Sequence, residues 1–76
     1  MSKKMIKVTQ LRGEFTNIKG DFQANEEGTL FIDVFIITSI CKFSNITILT
    51  TLDKDFEYIV KESPEEVYKR IEDVLK

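Results

Sequence analysis

Apolar and polar residues alternate from the start of the chain. In "MIKVTQL", residues 5–11, Ile6 and Val8 are separated by Lys7 and Thr9, which is the period of a strand with one buried face. The next stretch, "RGEFTNIKGDFQANEEG" (12–28), loses that regularity. It carries the three glycines of the chain among scattered aromatic groups. It predicts a short strand around Glu14 to Ile18, a second around Asp21 to Ala24, and a turn or loop at "ANEEG". "TLFIDVFIITSICKF" (29–43) is branched and aromatic throughout, so it is strand by composition, yet it is long for a single strand. Asp33 supplies the break, because an aspartate carboxylate can accept from a backbone N–H two residues on. The expectation is a strand at 29–32, a corner at 33–35 and a strand at 36–43.

"SN" at 44–45 makes the next turn. Ile46 to Leu52 reads as a strand, with Ile46, Ile48 and Leu52 on one face and Thr47, Leu49 and Thr51 on the other. "DKD" at 53–55 turns the chain back. Phe56 to Val60 then returns, with Phe56, Tyr58 and Val60 on one face and Glu57 and Ile59 on the other. The end of the chain changes period. Ser63 is placed to cap a helix, Pro64 to occupy its first position and Glu66 to close a capping box. The helix covers about 64–75, and Val67, Ile71, Val74 and Leu75 form its apolar stripe. Glu65 with Lys69, and Glu66 with Arg70, stand four apart in the favourable order. Removing the Ser63 hydroxyl should cost about 1 kcal/mol of stability.

The predicted fold class is α+β: a small antiparallel β-sheet or partly closed barrel of about five strands, followed by one C-terminal α-helix. With 76 residues, residues 1–76 form one domain. A domain of this size buries a modest share of its surface, so an oligomer interface is a natural supplement. Cys41 is the single cysteine, which fits a reducing, cytoplasmic setting. "MSKKMIKVTQ" lacks the apolar run of a signal peptide, and no stretch is apolar enough to span a bilayer. The net charge of −2 conceals a pattern. Lys3, Lys4, Lys7, Arg12 and Lys19 stand against Glu14 in the first twenty residues, whereas Asp21, Glu26, Glu27 and Asp33 have no basic neighbour in the next twenty. The two blocks could face each other within one chain or between chains.

"FIDVFIITSI" followed by "ITILTTLDKDFEYIVKESPEEVYKRI" resembles the second half of a type of small bacterial and phage protein whose best-known members are the FlbD-type flagellar and swarming-motility proteins. The similar features are an opening strand like "MIKVTQLRGE", an "I-x-x-I" strand at Ile37 to Ile40, a hairpin, and a "VKES-x-EEV" helix start at Val60 to Val67. The resemblance covers residues 30–76 well and 5–14 loosely. Residues 15–29 look like an insertion, and Asp53 to Asp55 stand where glycine is usual. The resemblance implies a compact β-rich domain that works through binding or assembly, with no catalytic residues to carry over.

The residues themselves point the same way. Histidine is absent, which removes the usual general base and the commonest metal ligand. One cysteine cannot build a structural zinc site, and Cys41 lacks an activating neighbour, so it reads as a small core residue. No glycine-rich phosphate loop is present. The expectation is a protein that is not an enzyme, without metal or cofactor. What stands out is apolar surplus. Phe31, Val34, Phe35, Ile36, Ile37, Ile40 and Phe43 lie close together, and both faces of the 46–60 hairpin carry apolar groups. Either the sheet closes or a second subunit covers the remainder. The leading reading is a homo-oligomeric binding protein with Phe31, Val34, Phe35 and Ile37 at the interface. A small nucleotide is one candidate ligand, held by Lys7, Arg12 and Lys42. A protein-interaction or regulatory module is the alternative. A binder of single-stranded nucleic acid ranks below both, because the aromatics are not interleaved with basic residues.

Overall fold

The computed structural model describes residues 4–16, 20–52 and 56–76. Five strands and one α-helix follow in the order β1 (Met5–Phe15), β2 (Phe22–Asp33), β3 (Ile37–Phe43), β4 (Ile46–Thr51), β5 (Glu57–Val60) and α1 (Pro64–Leu75). A single 3-10 turn, Val34–Ile36, joins β2 to β3. The strands form one antiparallel sheet in the order β2-β1-β5-β4-β3. It is not closed into a barrel, so β2 and β3 are its two edges. Those edges are consecutive in the chain, and three residues span them, so the sheet must curl until its edges approach at that corner. The molecule is elongated, 46 × 23 × 19 Å. Among the described residues no helix is long and apolar enough to cross a membrane.

The alternation of "MIKVTQL" does what its period requires. Ile6 and Val8 are 3% and 1% exposed, and Lys7 between them lies in solvent. They pack with Ile32, Val34, Leu49, Val60 and Val67 into the core. Asp33 makes the expected corner, its Oδ1 accepting from the Phe35 N–H at 2.9 Å. Ser44, with φ 56°, opens the turn before Asn45. Ser63 Oγ accepts from the Glu66 N–H at 3.2 Å and Pro64 takes the first helical position. The Glu66 carboxylate turns instead to Arg70, 3.0 Å away. Val67 is fully buried, Ile71 and Val74 pack on the core, and Leu75 stays exposed.

Two expectations are corrected. "ANEEG" is not a loop. Residues 22–33 run as one strand of 12 residues paired with β1 along its length. Arg12 pairs with Glu26 and Gly13 with Ala24, which leaves Asn25 as the extra residue of a β-bulge. Gly13 is required there, because a Cβ would run into the Gln23 carbonyl oxygen and stand 2.9 Å from Ala24 Cα. The strand expected at Glu14 to Ile18 is the end of β1, which stops at Phe15. Ile18 and the turn at 53–55 lie outside the described residues. The second correction is Cys41, which is exposed on β3 and not a core residue.

The apolar second face of the hairpin has an unexpected cover. Tips of two hairpins meet. Phe15 stacks edge-on against Phe22 at 5.2 Å and against Phe43 at 5.9 Å. The Phe22 N–H donates to Asn45 Oδ1 at 2.8 Å, and Asn45 Nδ2 donates to the Phe22 carbonyl at 2.9 Å. Ser44 Oγ donates to Asp21 at 2.5 Å. Ile46 is buried beneath this clamp, and Ile48 lines a shallow apolar recess with Phe15, Gly20 and Phe43.

Candidate functional site

Two surfaces flank α1, one at β1 and one at β3. On the first, β5 reaches β1 through a single pair, Gln10 with Val60, and the chain then leaves for the helix. The Lys61 N–H still reaches the Thr9 carbonyl at 2.9 Å. Beyond that point, among the described residues, β1 has no strand on this side. Side chains take the strand's place. The Thr9 N–H donates to both carboxylate oxygens of Glu62, at 2.9 and 3.1 Å, and its hydroxyl donates at 3.0 Å. Arg70 Nη1 donates to the Lys7 carbonyl at 2.6 Å and to Glu62 at 3.1 Å. An ion pair therefore supplies an acceptor and a donor where a ladder would have supplied both.

The Glu62 side chain is only 10% exposed. Burial alone would raise its pKa. The Thr9 N–H, its own backbone N–H, the Thr9 hydroxyl and the Arg70 charge outweigh burial and hold the carboxyl below its ordinary value. The groove beside it, about 510 Å³, is lined by Met5 to Thr9, Glu62, Arg70, Asp73 and Val74. Thr9, Glu62, Arg70 and the Lys7 carbonyl are already engaged with one another, so it reads as the sheet's own edge repair. Nothing in the sequence singled out Glu62, because its role depends on a strand 53 residues away.

The second surface is apolar. A groove of about 550 Å³ runs between β3 and the start of α1, lined by Val34, Ile37 to Ile40, Pro64, Glu65, Tyr68 and Ile71. Of the four expected interface residues, Val34 belongs to the core at 7% exposure and Ile37 forms part of the groove wall. Phe31 and Phe35 are 61% and 64% exposed. Alternation explains Phe31, which points away from buried Ile32. It does not explain why the outward position is phenylalanine. Tyr68, in the groove, is also exposed.

The three candidate cations do not converge. Lys7 and Arg12 share β1, but five positions apart they face opposite sides of it. Lys7 stands opposite Phe31, and Arg12 stands opposite Glu26. Lys42 lies on β3, with β5 and β4 between it and β1. Among the described residues no ion pair joins the basic block of the first twenty residues to the acidic block of the next twenty; Glu27 pairs instead with Lys61 at 3.5 Å, both largely exposed. Among the described residues no group of acidic or cysteine side chains is arranged to hold a metal ion. No family model, curated protein or solved structure matches the chain.

Proposed function

We propose that this chain is a non-enzymatic binding protein of the cytoplasm that works as a homo-oligomer. The observation that carries the reading is the pair Phe31 and Phe35, each more than three-fifths exposed, on either side of the buried Ile32 and Val34. Large apolar groups grouped on a small surface mark an interaction site, and a domain of this size gains most from covering them. The two open sheet edges support the same reading. The resemblance of residues 30–76 to FlbD-type proteins also supports a role in assembly or regulation. A nucleotide ligand has less support, because Lys7, Arg12 and Lys42 are spread over two faces and two distant strands.

Native mass spectrometry combined with sedimentation at tens of micromolar protein tests this. The expected result is a fixed multimer for the wild type and a lower mass for folded Phe35→Lys. A wild type that remains monomeric would overturn the reading. A multimer that Phe35→Lys leaves intact would remove Phe35 from the interface.

A further inference from the structure

The two edges of the sheet are not equivalent. β2 carries a bulge at Asn25 and acidic groups at Glu26 and Glu27, which are devices that discourage another strand from pairing. β3, "ITSICKF", has a bulge only at its start, between Ile37 and Ser39, and a single charge at Lys42. Phe43 and Ile46 pair across the two-residue turn, so the main-chain groups of Phe43 and Cys41 face β4. Those of Ile40 and Lys42 alternate outward, and among the described residues no strand lies on that side.

We propose that β3 is the seam of a two-fold dimer, in which β3 of a second copy pairs antiparallel with it, Ile40 opposite Ile40. This placement rests on the homo-oligomeric reading above and names where the second copy sits. The argument is complementarity. Ile40 packs toward the core and lines the α1 groove, and Lys42, two residues on, shares its face of the strand. In this register Lys42 of one copy lies beside Thr38 of the other. Thr38, Ser39 and Glu65 border the same groove, so each lysine meets the partner's Glu65 carboxylate. At each end of the seam the partner's exposed Phe43 lies opposite Ile37, two residues from the Phe35 corner. The main chain contributes hydrogen bonds at the centre, Ile40 extends the core across the axis, and one charge pair at each side fixes the register.

Sedimentation of charge variants tests the placement. Lys42→Glu and Glu65→Lys should each weaken dimerisation roughly fivefold or more at low salt, and the double exchange should restore it. A second measurement does not depend on small energies. In this register Ser39 faces Cys41 of the partner as a pair not bridged by hydrogen bonds, close enough for a disulfide under mild oxidation. Ser39→Cys should therefore give a covalent dimer on a non-reducing gel. A wild-type multimer that neither responds to the charge exchange nor cross-links through Ser39→Cys would overturn the β3 seam while leaving the oligomeric reading in place. Efficient cross-linking of the wild type through Cys41 alone would overturn this register. A monomeric wild type would overturn both the seam and the reading beneath it.

Discussion

The long β1–β2 ribbon is one continuous ladder, yet its two halves are held by different forces. In the proximal half, Ile6, Val8 and Ile32 are buried against β4, β5 and α1, and the bare side of β1 is closed by Glu62 and Arg70. In the distal half, residues 12–15 of β1 and 23–29 of β2 are exposed. That half has almost no apolar burial of its own, and a two-stranded ribbon alone is marginal in water. It is pinned at its far end, where Phe22 is buried and Asn45 holds its main chain. A hydrogen-bonded ladder does not by itself tell how strongly a segment is held. Burial on one side, or anchors at both ends, decides it.

The largest expected effect falls on the proximal half. Ile32→Ala should cost about 2–5 kcal/mol, read from the urea midpoint, because it opens a cavity in the core. A loss below 1 kcal/mol would mean that the proximal half is not where the ribbon's stability resides. Gly13→Ala strikes the distal half by steric conflict with the Gln23 carbonyl. It should cost about 1–3 kcal/mol and speed amide exchange around the bulge before it affects Val8. If exchange rises equally in both halves, the ribbon opens as one unit and the contrast drawn here fails.

Glu62→Gln should cost about 1–2 kcal/mol near neutral pH, since it removes the charge partner of Arg70. The pH dependence has a definite sign. Glu62 has a depressed pKa in the folded state, so its contribution is complete above the unfolded carboxylate value. It is lost as pH falls through the folded one. The stability gap between wild type and Glu62→Gln should therefore be full above about pH 5 and shrink on acidification. A gap that stays constant down to pH 3 would show that the carboxylate charge does not matter. The smallest effect is expected for Asn45→Ala, about 1 kcal/mol, with faster exchange confined to residues near the ribbon tip. Unchanged exchange at Phe22 would show that the aromatic cluster alone is a sufficient anchor.

Much of this could be read along the chain where local chemistry decides the structure. Asp33 turns the backbone through its own side chain, Ser63 and Pro64 start the helix, and alternation places Ile6 and Val8 inward. The strand through Asn25, Glu26, Glu27 and Gly28 was not legible. Those residues have low strand propensity, and they are extended because β1 pairs with them and a bulge absorbs the misfit. Asn45 looked like a turn residue, and its second task of holding Phe22 depends on another hairpin. Of the expected interface residues, Phe31 and Phe35 are exposed, whereas Val34 is committed to the core. Strand periodicity alone could not separate these two, because the 3-10 turn interrupts it at Val34.

The side chains that complete the β1 edge also bear on how fast the protein can reach this state. Thr9 and Glu62 are separated by 53 positions, and the strand next to β1 in the sheet is the last one made. The proximal half of the ribbon cannot settle on its neighbour until nearly the whole chain has been brought back to its beginning. Closing a loop of that length costs entropy before any contact rewards it, and folds dominated by such distant pairings are slow. The hairpin of β3 and β4, with its two-residue turn, is the natural place for folding to begin, and docking of β1 against β5 and α1 the step that limits it. Substitutions at Thr9 or Arg70 should then slow refolding, while those at Asn45 act mainly on unfolding.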